Sequence, residues 1–366
     1  MRDRLALSAG ARGTGAHPLL LRATRFASAC LALLALACGD DATPPAKPDA
    51  LRELERQEAQ LDAAAEPCFD EAVAPATRAL ACSEWQRLRG GSLLVLIDFG
   101  LTDIPEPLIE TGQHIRRLNL ARNALTEVPS AIGKLAELED LDLSRNRLSG
   151  LPEEIAGLAS LRRLNLDGNQ LTALPASVGD MRSLETLVLD HNGLSALPET
   201  LSRLPNLETL SVSDNRLTSI PTVVSEIPTL RVLDVSGNPL GGLPQEIEAA
   251  SGLRVLAARS LALTSLPAWL TRMGDLQALN VSDNALTTLP DQLLSLPGLE
   301  QVNAADNQIA SLSLAWCRLE VTLSGNPLTP EAFRGQCEAA EAPTTSSSLH
   351  QDRLSNNGSS TPRSTP

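Results

Sequence analysis

The amino-acid sequence predicts an α/β solenoid of short parallel strands, and three observations carry that prediction. One phrase recurs along most of the chain, as LRRLNLDGNQLTALP at 161–175, LETLVLDHNGLSALP at 184–198 and LETLSVSDNRLTSIP at 207–221. An asparagine column marks it with a step of 23 residues, at Asn123, Asn146, Asn169, Asn192, Asn215 and Asn238, then at Asn284 and Asn307 after one missed beat at Leu261. Leucines alternate within each phrase, as in Leu118 and Leu120, Leu141 and Leu143, or Leu164 and Leu166, which puts them on one face of a strand. A period of this size marks stacked units, each too small to bury its own apolar face.

The first 37 residues carry five arginines against Asp3 and then an apolar run from Phe26 to Ala37. This is the layout of a signal peptide, too short to span a bilayer as an anchor. Losing that +4 balance takes the formal charge from −14 to −18. So acidic a product argues against nucleic acid or anionic lipid as a partner. The run ends Leu36-Ala37-Cys38-Gly39-Asp40, which resembles a bacterial lipoprotein signal with Cys38 as the lipidated residue, although the Leu stands two places before the Cys rather than three. Ordinary cleavage after Ala37 is the competing expectation. It would leave an odd thiol among Cys38, Cys68, Cys82, Cys317 and Cys337, whereas lipidation leaves four cysteines that can pair.

After a tether over 38–50, rich in Asp, Thr, Pro and Ala, the spacing of Leu51, Leu54 and Leu61 predicts a short helix. Residues 51–92 thus read as a helical linker and an N-terminal cap, which must close the open end of the core. The solenoid proper is expected over 93–328. It begins with a degenerate coil in which Leu94, Leu96, Leu101 and Ile104 keep their places but Phe99 stands where Asn is expected. Nine coils follow in register, with Ile132 and Leu135, Ile155 and Leu158, or Val178 and Met181 supplying the second apolar flank. The Pro after each LxxL phrase, such as Pro152 or Pro244, fixes φ near −65° and disfavours long helices on that flank. Each Asn follows a sharp turn, where its amide can both donate to and accept from buried backbone groups. The missing Asn at Leu261 predicts a locally irregular coil. A C-terminal cap is expected over 329–340, and the Ser-, Thr- and Pro-rich residues 341–366 are expected to be disordered.

The phrase L-x-x-L-x-L-x-x-N-x-L resembles the leucine-rich repeat family, and the trailing L-P followed by x-x-I-x-x-L is similar to its Ras-group and bacterial subclass. The resemblance implies a horseshoe with a parallel concave β-sheet, short turns or 3₁₀ segments on the convex side, and a concave face that binds partners.

About ten coils at ~4.8 Å per strand hold the two ends more than ~40 Å apart, while bridged Cα atoms lie within ~7 Å. Cys68 is therefore expected to pair with Cys82 and Cys317 with Cys337, one staple in each cap. No Gly-rich phosphate loop, zinc-spaced cluster, C-x-x-C pair or nucleophile elbow occurs, so no enzyme activity, cofactor, metal or small-molecule substrate is expected. His191 beside Asp190 and Asp167 could hold a metal in principle; a solvated polar face is the preferred interpretation.

The candidate site is the outward side of the strands. Its N-terminal coils carry Arg117, Arg122, Asp140, Arg145 and Arg163, of which Arg117, Asp140 and Arg163 are expected to form a cross-strand charge ladder. Its centre carries Thr186, Asp190, His191, Thr209 and Asp234, and toward its end come Asp214, Asn280, Asp283, Asn303 and Asp306. This strip is graded from basic to acidic, which suits a dipolar protein surface or an extended peptide. Its lack of aromatics disfavours carbohydrate. The expectation is a non-enzymatic protein of a bacterial cell envelope, membrane-bound only through its lipid, that binds a protein or peptide. A spacer without a ligand and the repeat scaffold of a hydrolase are the alternatives.

Overall fold

A computed structural model of the chain describes residues 74–88 and 91–341. The expected signal peptide, tether, leading helix and C-terminal tail, with Cys38 and Cys68, lie outside the described residues. Eleven three-residue strands follow chain order in a parallel sheet. The chain falls into two compact units, the first ending at Leu217 but including Pro221–Leu230, the second taking Thr218–Ile220 and everything from Arg231.

The first unit opens with helix α1 (Pro75–Leu88), followed by β1 (Leu93–Val95) and the six-residue α2 (Glu106–Thr111). Strands β2 (Arg117–Asn119), β3 (Asp140–Asp142), β4 (Arg163–Asn165), β5 (Thr186–Val188) and β6 (Thr209–Ser211) come next. Each middle residue points into the core: Leu118, Leu141, Leu164, Leu187 and Leu210 are all buried. Their register is a constant 23, Arg117 facing Asp140, Asp140 facing Arg163, and Thr186 facing Thr209. Strands stay this short because the residue just before each column Asn takes a left-handed conformation, with φ of 56° at Arg122, 55° at Arg145, 67° at Gly168, and 52° at both His191 and Asp214. The opposite flank is made of 3₁₀ turns, at Ser130–Lys134, Glu153–Gly157, Ala176–Asp180, Glu199–Arg203 and Thr222–Val224. Pro129, Pro152, Pro175, Pro198 and Pro221 precede them with φ between −66° and −72°. Proline thus sets the turn and withholds a donor that no ladder needs there. Adjacent turns pack so closely that a Cβ on Gly157 would stand 2.7 Å from the carbonyl oxygen of Gly133.

The N-terminal cap is α1, whose Ala79, Cys82 and Ser83 are buried and whose Arg78 guanidinium lies 4.2 Å from the centre of the Phe99 ring. Phe99 therefore serves the cap in the coil that lacks the column Asn. Cys82 is disulfide-bonded; its expected partner Cys68 lies outside the described residues.

The second unit holds β7 (Val232–Asp234), β8 (Val255–Ala257), β9 (Ala278–Asn280), β10 (Gln301–Asn303) and β11 (Glu320–Thr322), then helix α3 (Pro330–Glu341). Here the C-terminal staple forms as expected, Cys317 to Cys337 with Cα atoms 5.5 Å apart. Trp316 is fully buried and its indole Nε1 donates to Asp291 at 2.9 Å. The coil at Leu261 is irregular: Ala262 joins Ser260 in the left-handed region, each at φ 55°. A buried Leu261 cannot replace an amide, so Asn284 takes two backbone donors, Leu261 N–H at 3.0 Å and Leu263 N–H at 2.9 Å.

Candidate protein-interaction face

The asparagine column is internal stitching. Asn146 donates through Nδ2 to the carbonyl oxygens of Leu143 at 2.9 Å, Leu120 at 3.0 Å and Ser144 at 3.2 Å, and accepts from Leu125 N–H at 3.1 Å. The carbonyl of Leu143 is in turn shared with Asn169, at 3.1 Å. The same sharing recurs at Leu120, Leu166, Leu189 and Val281. Every such oxygen thus has two asparagine partners, one from its own coil and one from the next. These residues are spent on the fold.

A second polar row lies at the strand ends. Asn119, Asp142, Asn165, Asp234, Asn280 and Asn303 each accept, through a side-chain oxygen, from the backbone N–H two residues on. This local cap is open to Asn and Asp because both reach back over one turn. Asp234, Asn280 and Asn303, candidates on sequence grounds, therefore each have one oxygen committed. Where the strand end cannot cap, the preceding coil supplies the group. Asp190 accepts from Ser213 N–H at 2.7 Å and from the Ser211 hydroxyl at 2.6 Å, and the Ser236 hydroxyl accepts from Arg259 N–H at 3.0 Å. Asp190 is accordingly tied down as well.

In the first unit Asp140 is claimed by Arg163, whose Nη2 donates to it at 2.6 Å. The charge ladder is thus half formed. Arg117 has the expected register but makes no ion pair among the described residues. Arg145, also exposed, makes none either, and Arg122 reaches only Asp98, at 3.9 Å. By contrast Arg116 and Arg162 are matched to Glu139 and Glu185, at 2.8 and 2.6 Å. Thr186 and Thr209 lie half-buried side by side.

His191 sits between two carboxylates. Its Nδ1 lies 2.8 Å from Asp167 and its Nε2 3.4 Å from Asp214, so a protonated ring spans three coils. The hydrogen bond to Asp167 is the main cause of a raised imidazole pKa, helped by the charges of Asp167, Asp214 and Asp190 and opposed by burial. The sequence placed His191 with Asp167 and Asp190; the structure exchanges Asp190 for Asp214. Among the described residues no group of three His, Cys, Asp or Glu side chains is arranged to hold a metal ion.

In the second unit Asp283 accepts from the Ser260 hydroxyl at 2.6 Å and lies 3.5 Å from Arg259. Asp306 is exposed. Sequence reasoning passed over Leu93, Val95 and Ile97, which are 40%, 45% and 39% exposed. The signal was present: Leu93–Ile97 is an unbroken apolar run, LLVLI, where alternation should have put polar residues.

Strands that step by 23 residues from β2 to β10, a left-handed residue before each Asn, and 3₁₀ turns behind define a parallel-strand repeat solenoid with a variable outward sheet face. The family model for the leucine-rich repeat region matches residues 107–212, and that for two copies of leucine-rich repeats matches 205–245. Residues 107–245 thus carry leucine-rich repeats. Among solved structures it is similar to YopM, a leucine-rich effector protein from Yersinia pestis, at 26% identity and a TM-score of 0.55, covering 74% of this chain and 71% of that one. Toll in the Drosophila Toll–Spatzle complex gives 27% and 0.54 over 62% of this chain and 32% of the other. The Arabidopsis receptor kinase HAESA, solved with the peptide hormone IDA and the co-receptor SERK1, gives 26% and 0.51 over 60% and 39%. The chain thus spans only about a third of the two receptor chains. No curated protein sequence matches it.

Proposed function

We propose that this is a non-enzymatic, lipid-anchored protein of a bacterial cell envelope that binds a protein or peptide through the outward face of its strands. The observation that carries the proposal is the division of labour within each coil. Inward leucines and column asparagines are consumed by stacking, whereas first-position strand residues and left-handed turn residues vary from coil to coil and face solvent. The solved complexes of Toll with Spatzle and of HAESA with IDA lend support, since those related folds hold protein and peptide ligands. The anchor rests on the sequence around Cys38.

Photo-cross-linking residues placed at Thr186 and Thr209 are expected to capture the same envelope protein, while one placed at Ser202 on the opposite flank captures none. Equal capture from both flanks would refute a face-specific site. For the anchor, a fatty-acid probe should label the wild type and spare Cys38→Ala; equal labelling excludes Cys38.

A further inference from the structure

Six arginines of the first unit fall into two groups. Arg116, Arg162 and Arg163 each meet a carboxylate within 2.8 Å. Arg117 and Arg145 meet none among the described residues, and Arg122 meets one only at 3.9 Å. Arg147, Arg182 and Arg216 of the first unit also make no ion pair among the described residues, so it is their placement that sets Arg117, Arg122 and Arg145 apart. These three gather on adjacent coils: Arg122 and Arg145 occupy the same left-handed turn position, one coil apart, with φ of 56° and 55°. Arg117 starts β2, directly across from Leu93 in the register of β1 and β2.

Leu93 belongs to the other unusual feature. With Val95 and Ile97 it forms an aliphatic stripe at alternate positions, each side chain about two-fifths exposed. On β2, β3 and β4 the equivalent outward positions carry Arg117 and Asn119, Asp140 and Asp142, Arg163 and Asn165. Contiguous exposed apolar side chains beside unmatched cations mark an interaction surface.

We propose that this patch binds an acidic polypeptide segment bearing aliphatic side chains at alternate positions. The proposal rests on the partner-binding function given above and deepens it. Aliphatic anchors fit the stripe, whose side chains repeat every ~6.6–7 Å along β1. Carboxylates on the same segment face Arg117 and reach across ~10 Å, two strand spacings, to the arginines of the next coils. Nucleic acid would supply the anion without the aliphatic anchors, and it would be repelled by a net charge of −14.

The test is fluorescence anisotropy with the full chain and two labelled twelve-residue probes, one alternating glutamate with valine and one alternating lysine with valine. The glutamate probe is expected to bind and the lysine probe to fail. Binding should fall about tenfold in Arg117→Glu/Arg145→Glu, with a shallower salt dependence, and also in Leu93→Ser/Val95→Ser at high salt, where charge is screened. Circular dichroism of each variant checks that the fold is kept, and Glu246→Gln, on the Gln245–Ala249 turn of the second unit, serves as a control without effect. Equal binding of both probes, or wild-type affinity in the two double variants, overturns the proposal. Self-association removed by the same substitutions would assign the patch to a second copy and overturn it too. If neither probe binds while cross-links from Thr186 and Thr209 still capture a protein, the partner chemistry is wrong and the binding face stands; loss of both removes the face as well.

Discussion

Replacing Asn146 with Ala removes one acceptor and three donor contacts from a buried turn. Their loss is not uniform. The oxygens of Leu120 and Leu143 each keep a second asparagine, Asn123 at 2.8 Å and Asn169 at 3.1 Å. The N–H of Leu125 keeps nothing. An orphaned buried N–H costs about 1–3 kcal/mol, and a lost bond to an oxygen that stays partnered about 0.5–1 kcal/mol, so Asn146→Ala should lose about 3 kcal/mol. Sharing then predicts coupling. In Asn146→Ala/Asn169→Ala the oxygen of Leu143 loses both partners, and the double variant should be worse than the sum of the singles by about 1–2 kcal/mol. Asn146→Ala/Asn215→Ala share no carbonyl and should add to within about 0.5 kcal/mol. Denaturant midpoints followed by circular dichroism measure the wild type and all five variants, and hydrogen exchange at the Leu125 amide reports the local loss even where unfolding departs from two states. Strict additivity in the neighbouring pair, or a single-site loss below about 1 kcal/mol, would refute the shared-carbonyl argument.

Three further outcomes are expected. The His191 imidazole should titrate above its ordinary 6.5 by NMR and fall back toward it in Asp167→Asn; because the folded value is raised, its stabilising contribution is complete below 6.5 and lost as pH climbs through the folded value. A titration at or below 6.5 in the wild type would contradict the bridge to Asp167 and Asp214. Cys317→Ser/Cys337→Ser opens a staple spanning 20 residues and should cost about 3 kcal/mol on the chain-entropy account, read as a lower denaturant midpoint. Gly157→Ala should destabilise by forcing a Cβ to 2.7 Å from the Gly133 oxygen, whereas Gly150→Ala, where no heavy atom lies within 4 Å, should not; equal midpoints would disprove the close approach.

Most of the fold was written in the period. The step of 23 residues set the register, L-x-L alternation set the inward leucines, and the proline before each turn anticipated 3₁₀ segments rather than helices. Leu261 was legible as a break, but not its repair, because nothing local to Asn284 says that it will accept from two amides. The candidate site was harder to read. Outwardness at Asp234, Asn280 and Asn303 follows from alternation, yet their capping bonds depend on turn geometry that alternation does not encode. Asp140 could choose between Arg117 and Arg163, and the register alone does not decide which. The bridge from His191 to Asp214 links neighbouring coils through a left-handed turn, visible only once the chain is folded.

The asparagine stitching also has a direction. An Asn reaches back to the coil before it, and the N–H that follows it waits for the coil after. Leu148 N–H is met by Asn169, Leu171 N–H by Asn192, and Leu286 N–H by Asn307. A chain delivered amino end first therefore closes each coil only when the next arrives, and the unfinished seam always travels with the newest turn. Trimming whole coils from the amino end strips away recipients and leaves their donors facing water. Trimming from the carboxyl end leaves a coil permanently unclosed, and that is the end that Asn326, α3 and the Cys317–Cys337 bridge bring to a stop.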